Sequence, residues 1–458
     1  MSSSCMTSKS LRCLRLKAAL ALATILAVSP VHSEQVAIPD TAAGRVLAAW
    51  LEAFNRGDQA RFGDYQQKYE PAPDLPPDAA MAFRARTGGF DLVGIHKSEP
   101  LHIEYLVQER ASDTRALGRF DVTPSDPPKV TTSGLRAIPP GAAIIGFEID
   151  ADDRDRVIAG SIAKLKENYV FPETAKKMEQ ALRGHQKRGE YDKVRDGEKF
   201  AALLTTHLQE ASHDKHLRVN FSAARYPDDL DTPGPQQVAE NRKMTERTNC
   251  GFEKVELLAG NVGYVKFNMF ADPSLCGQTA IAAMNFLANV DAIVFDLRDN
   301  GGGHPAMIAL ISTYLFDQPT HLNDIWTRRT GATQQYWTLP VVPGKRMAAA
   351  PAYVLTSSRT FSGAEEFSYN LKNLKRATIV GETTGGGAHP VRGERIDDRF
   401  VIGVPFARAI NPITLTNWEG IGVAPDVKVA AVDALTTAQK LASEELAKRR
   451  AAPGVGSN

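Results

Sequence analysis

Residues 292–316 read AIVFDLRDNGGGHPAMIALISTYLF, and this stretch decides the fold class. Ala292–Leu297 is a short apolar run of the kind that forms a strand buried on both faces. Ala306–Leu315 suits a packed helix. Between them, Asp296–Pro305 brings three consecutive glycines, which turn the chain and leave backbone N–H groups unobstructed by side chains. Further apolar strands follow the same grammar at Val262–Phe267, Ala352–Thr356 and Ala377–Gly381, with helical segments such as Ala280–Leu287 between them. This alternation predicts an α/β core over 250–440 on a mostly parallel sheet, with functional residues beyond the strand ends. Residues 441–458 read as a tail.

Upstream, the polar, proline-containing span 225–249 reads as a linker. Residues 141–224 predict a three-helix unit. Val157, Ile158, Ile162, Leu165 and Tyr169 share a face up to Pro172, and two more helical stretches surround Ala175–Leu182 and Phe200–Leu208. Leu217, Val219 and Phe221 then alternate as a strand. Pro139, Pro140 and Gly141 mark the boundary with residues 34–140, an accessory α+β domain. There a helix over 41–57 precedes strands at Leu101–Val107, Phe120–Val122 and Val130–Ile138. Its phrase AWLEAFNRGD resembles the nuclear-transport-factor-2-like cone fold, whose ordinary roles would be packing or homo-oligomerisation.

The chain has 458 residues, 43% hydrophobic and 23% charged, which fits two to four ordinary globular domains. With 54 Lys+Arg against 53 Asp+Glu it has no whole-chain electrostatic footprint for nucleic acid. Its amino-terminal end is a targeting segment. Lys9, Arg12, Arg15 and Lys17 precede the uncharged run Ala18–Val28, and small residues lead to Ser33. The apolar run of 11 residues is too short for a ~30 Å membrane core, so 1–33 reads as a cleaved signal rather than a stable anchor. The expected location is periplasmic or secreted. Removing its four basic residues leaves 50 basic against 53 acidic, a mildly acidic chain. Cys250 and Cys276 then remain, an even pair in an oxidising compartment and candidates for one disulfide.

Three elements bear chemistry. The first is the glycine loop, which suits an oxyanion hole. It lacks the Gly-Lys-Ser/Thr of a phosphate loop and the spacing of a dinucleotide fingerprint, so no cofactor is expected. The second is TSSRTFSGAEEF, Thr356–Phe367. Ser362 stands at the start of a helix, where free N–H groups favour developing negative charge. Ser362 to Glu365 also fits a purely structural capping box. The third is SHDKHLRVNF, Ser212–Phe221. His216 suits a general base, and His304 and His389 are alternatives. His213 and His216 complete no zinc pattern, so no metal is expected. Glu419, in NWEGIGVAPD, is one candidate acid among many.

Taken in order, YVFP, DKHL, DLRDNGGGHP, TFSGAEEF, GETTGGGAHP and GVAPDVKV resemble the tail-specific, or C-terminal processing, serine peptidases. The nearer likeness is to the branch holding tricorn-type proteases and interphotoreceptor retinoid-binding protein domains. The resemblance spans about 152–429. It implies a ClpP/crotonase-like core, a peptide or protein substrate, Ser362 as nucleophile, and oxyanion donors at Gly363 and Gly302. In the processing branch a lysine serves as base; the matching position here is Gly387, and Lys372 and Lys375 lie elsewhere on the helix. The tricorn-like branch implies His216 as base with Glu419 as its partner, and has a serine where this chain has Lys215; Ser212 is a loose substitute. The 225–249 span leaves no room for the usual PDZ domain, so strand addition near Gly301 is the expected peptide-binding mode. Retinoid-binding relatives leave open a second reading, a non-catalytic lipid- or peptide-binding protein.

Overall fold

The computed structural model describes residues 36–73, 75–138, 141–226 and 234–451. The expected signal at 1–33 lies outside them. In the amino-terminal unit, helices α1 (Ala42–Arg56), α2 (Gln59–Tyr69) and α3 (Pro77–Thr87) pack on an antiparallel meander of β1 (Phe90–Glu99), β2 (His102–Glu109), β3 (Arg115–Val122) and β4 (Val130–Ile138). Thr41 caps α1 by accepting from the Gly44 N–H, and Gly57 closes it in a left-handed conformation. One face of α1 is buried: Val46, Leu47, Trp50 and Phe54 meet Phe90, Ile103, Tyr105 and Phe120.

The second unit comprises α4 (Ala151–Asn168), α5 (Pro172–Lys187), α6 (Gly197–Ser212) and β5 (Arg218–Phe221). Buried Arg119 of β3 reaches across to it, pairing with Asp196 at the α6 N-cap and with Glu198. The span read as a linker contains a helix, α7 (Pro235–Arg247). It begins with proline at its first turn, a start signal that needs no apolar periodicity.

The core follows: β6 (Phe252–Leu258), β7 (Val262–Phe267), α8 (Pro273–Phe286), β8 (Ala292–Asp296), α9 (Pro305–Thr313), β9 (His321–Thr327), β10 (Thr333–Trp337), β11 (Ala352–Thr356), α10 (Gly363–Asn373), β12 (Ala377–Gly381), β13 (Val391–Arg395), β14 (Phe400–Pro405), β15 (Ala407–Ile410), β16 (Val427–Lys428) and α11 (Ala434–Ala451). The central sheet has the order β16-β12-β11-β8-β7-β6, parallel except for β6. Alternate strand residues go to opposite faces. Ile293, Phe295, Val354 and Ile379 pack under α8, α9 and α10. Ala292, Val294, Tyr353, Leu355 and Val380 pack on Ala434, Ala438, Ala442 and Leu446 of α11. The small residues let α11 lie close to the sheet, so residues 441–451 are part of the core's second layer rather than a tail. Cys250 and Cys276 are joined as a disulfide between the start of the core and α8.

Two smaller sheets complete the core, β10-β9-β15 and β13-β14-β5. In the latter β5 of the helical unit pairs antiparallel with β14, Val219 opposite Ile402 and Gly403 opposite Arg218. That pairing carries the Asp214–His216 turn to the carboxyl ends of β8 and β11.

Candidate active site

Ser362 leaves β11 and opens α10 with φ 53° and ψ −119°. A side-chain-bearing residue held there costs on the order of 1–3 kcal/mol, and such strain clusters at reactive positions. Three anchors hold it. The Phe361 N–H donates to the Asn300 carbonyl at 3.0 Å, and the Glu366 N–H to the Ser362 carbonyl at 2.9 Å. The Ser362 N–H donates to Glu365 Oε2 at 2.8 Å.

Buried Glu365 also accepts from Thr384 Oγ1, Gly386 N–H and Gly387 N–H at 2.5–2.8 Å, and so ties the Ser362 turn to the 384–387 loop. Burial raises its pKa above the ordinary glutamate value, against the pull of these bonds. The hydrogen bonds to Ser362 and the loop give Glu365 more than the capping role legible in the sequence.

The glycine loop presses its backbone against Ser362. A Cβ at Gly302 would lie 2.7 Å from Ser362 Cβ and 2.6 Å from the Gly363 nitrogen, contacts no side chain tolerates. The Gly363 N–H, first in α10, has no acceptor among the described residues. The Gly302 N–H, expected as the second oxyanion donor, is instead committed to Asn300 Oδ1 at 2.8 Å. Its neighbour Gly303 has an N–H without an acceptor among the described residues, and its nitrogen lies 2.9 Å from where a Gly363 Cβ would stand. The free pair is therefore Gly363 and Gly303.

His216 reaches the site from the other unit. His213 ends α6 with φ 60°, and Gln209 Nε2 holds the following turn by donating to the carbonyls of Lys215 and Leu217. Lys215 Nζ donates to the Gly385 carbonyl at 2.7 Å, pinning this turn to the opposite loop. The imidazole lies against Phe361, with ring centroids 4.7 Å apart, and against Gly387. A Cβ at Gly387 would fall 2.5 Å from His216 Cε1 and 2.3 Å from Phe361 Cζ. The position matched to the lysine of the processing branch is thus kept empty, and the imidazole lies against it. Neither ring nitrogen of His216 has a hydrogen bond among the described residues. Catalytic bonds are commonly long before substrate binds.

The acid nearest that imidazole is one the sequence did not single out. Asp214 Oδ1 lies 3.6 Å from His216 Nδ1 and accepts the His216 backbone N–H at 3.0 Å. Asp214 Oδ2 accepts from Tyr169 O–H at 3.0 Å and from His389 Nδ1 at 3.1 Å. Burial opposes ionisation of Asp214, yet His216 and His389 hold its carboxyl well below the usual range. Glu419, expected as the partner of His216, stands one step further back. Its Oε2 accepts the Ala388 N–H at 2.5 Å and lies 3.4 Å from His389 Nδ1, with no hydrogen bond to His216. Burial raises the Glu419 pKa. Asp214, His389 and Glu419 bring ligand-type atoms within 4.8 Å of one another, as do His185, Glu190 and His207 on α5, α6 and the turn between them. Hydrogen bonds and ion pairs account for both groupings. Lys372 lies in the last turn of α10, paired with Asp426, whereas Lys375, expected on the same helix, falls just past its end.

Residues 261–429 match the model of peptidase family S41, and residues 153–253 match that family's N-terminal domain in eukaryotic IRBP, together more than half of the chain. The chain belongs to peptidase family S41. Solved structures similar to this S41 chain include a candidate peptidase from Parabacteroides merdae, 17% identical over 63% of this chain and 96% of that one, TM-score 0.46. The photosystem II D1 C-terminal processing protease is 17% identical over 61% and 93%, TM-score 0.39. The tricorn protease is 12% identical over 79% and 47%, TM-score 0.40.

Proposed function

We propose that this S41 protein is an exported serine endopeptidase. The observation that carries the reading is the convergence on one turn of Ser362, two free backbone donors at Gly363 and Gly303, and the His216 imidazole. Ser362 Oγ attacks the scissile carbonyl as His216 takes its proton. The new oxyanion is received by the N–H groups of Gly363 and Gly303, aimed where charge develops. His216 then protonates the leaving amine, and water hydrolyses the acyl-enzyme by the same route in reverse. Asp214 orients the imidazole, with Glu419 behind it. Peptide substrates enter by strand addition beside the Gly301 loop. The disulfide supports an oxidising compartment and hence export.

The test is hydrolysis of a quenched-fluorescent peptide library by the mature protein and its Ser362→Ala variant, with fluorophosphonate labelling alongside. Labelling at Ser362 and loss of turnover in the variant are expected. Tight lipid binding without labelling would favour the binding-protein reading instead.

A further inference from the structure

The two oxygens of Asp214 serve different masters. Oδ1 faces the base, whereas Oδ2 is held by Tyr169 and by His389. A carboxylate rotates easily about its terminal torsion, and an orienting acid is useful only if its plane is fixed. Oδ1 is held by the His216 backbone N–H, and the groups that hold Oδ2 come from the turn after α4, through Tyr169, and from the 384–390 loop, through His389.

His389 is 4% exposed and packs edge-on against Phe171, with ring centroids 5.3 Å apart. Its Nδ1 meets acceptors on both sides, Asp214 Oδ2 at 3.1 Å and Glu419 Oε2 at 3.4 Å, so that nitrogen carries the proton. That single N–H stands between buried Asp214 and partly buried Glu419. Without it the two carboxyl groups would face each other unscreened, which favours protonating one of them, and a protonated Asp214 is a poor partner for an imidazole that must become charged.

We propose that His389 is a positioning residue that acts on the base through Asp214, holding its plane and keeping it ionised by separating it from Glu419. The proposal rests on the reading of His216 as the general base.

Its test uses the full mature protein and a peptide whose hydrolysis disappears in Ser362→Ala, which confines the readout to this site. His389→Leu keeps the volume and removes the donor. His389→Asn shortens the side chain and leaves an amide N–H near the place of Nδ1. The leucine variant should lose at least about tenfold in kcat with little change in KM, and the asparagine variant should recover most of it. A packing role predicts the opposite order. Since His389 acts only through Asp214, adding His389→Leu to Asp214→Asn should cost almost nothing more. A leucine variant with unchanged kcat, an asparagine variant no better than leucine, or a fully additive double variant would overturn the proposal.

A readout independent of turnover separates this from failure of the peptidase reading. Selective ¹⁵N-histidine labelling of Ser362→Ala reports the tautomer of His216, which should change with His389→Leu and persist with His389→Asn. An unchanged signal in the leucine variant sinks the relay even if no peptide is ever cleaved.

Discussion

Gly387→Ala isolates the contact on which the position of the base depends. The added methyl would lie 2.5 Å from His216 Cε1 and 2.3 Å from Phe361 Cζ, whereas carbon atoms rest about 3.5–4.0 Å apart. The imidazole must therefore retreat by about 1 Å. Backbone movement is resisted, because the Gly387 N–H is bound to Glu365 and its carbonyl accepts from Trp418 Nε1. A misplacement of 1 Å costs on the order of 10²-fold in rate, equivalent to about 2.7 kcal/mol in the barrier. Overpacking should also lower stability by about 1–3 kcal/mol. The assay is kcat/KM on a cleaved peptide, with urea unfolding of the same preparation. A second variant makes the cause visible: in a His216→Ala background Gly387→Ala should cost less stability, only the clash with Phe361 remaining, while the double variant stays inactive. Full activity in Gly387→Ala would refute the claim that this empty position sets the base. Loss of stability in the double variant equal to that in the single would also refute it.

Three further perturbations, at Asp214, Glu366 and the disulfide, have outcomes that the structure sets. Asp214→Asn should lower kcat by roughly 10³–10⁴-fold, as loss of an orienting carboxylate does elsewhere. Because the Asp214 pKa is lowered in the folded state, its ionised form adds stability above the unfolded value near pH 4, and this is lost as the pH falls through the native value. The stability gap between Asp214 and its Asn variant should therefore close only in strong acid, seen by comparing acid unfolding of the two. Glu366, buried on α10, is the opposite case, its pKa pushed up to about 7 by burial. It lowers stability as the pH rises from about 4.5 to 7, so Glu366→Gln should stabilise by on the order of a few kcal/mol at pH 8 and hardly at all at pH 4; urea midpoints at the two pH values would decide. Reducing the Cys250–Cys276 disulfide, whose partners are separated by 26 positions, should cost about 3.5 kcal/mol by loop closure, read as a drop in urea midpoint under reductant.

The central sheet was legible because its strands are apolar on both faces and its loops are punctuated by glycine. The place of Ser362 was legible because its spacing to Glu365 is that of a capping box, which marks a helix start. What the sequence hid were choices made by tertiary contacts. Of three consecutive glycines, which one keeps a free N–H is decided by the Asn300 side chain capturing Gly302. Asp214 rather than Glu419 meets His216 because His213 takes a left-handed conformation and turns the chain back on itself. No periodicity reports that. The helix α7 escaped because it buries no apolar stripe, and α11 was underestimated because its contact face is largely alanine, which reads as tail when its sheet is out of view.

The pairing of β5 with β14 has a temporal meaning. The base belongs to the helical unit, yet its turn is brought to Ser362 through a strand that pairs with residues 400–403, far downstream. Until that later segment has left the ribosome, or emerged on the far side of a membrane, β5 has no partner and His216 no address. The turn that bears His216 and the turn that bears Ser362 therefore meet only late in folding.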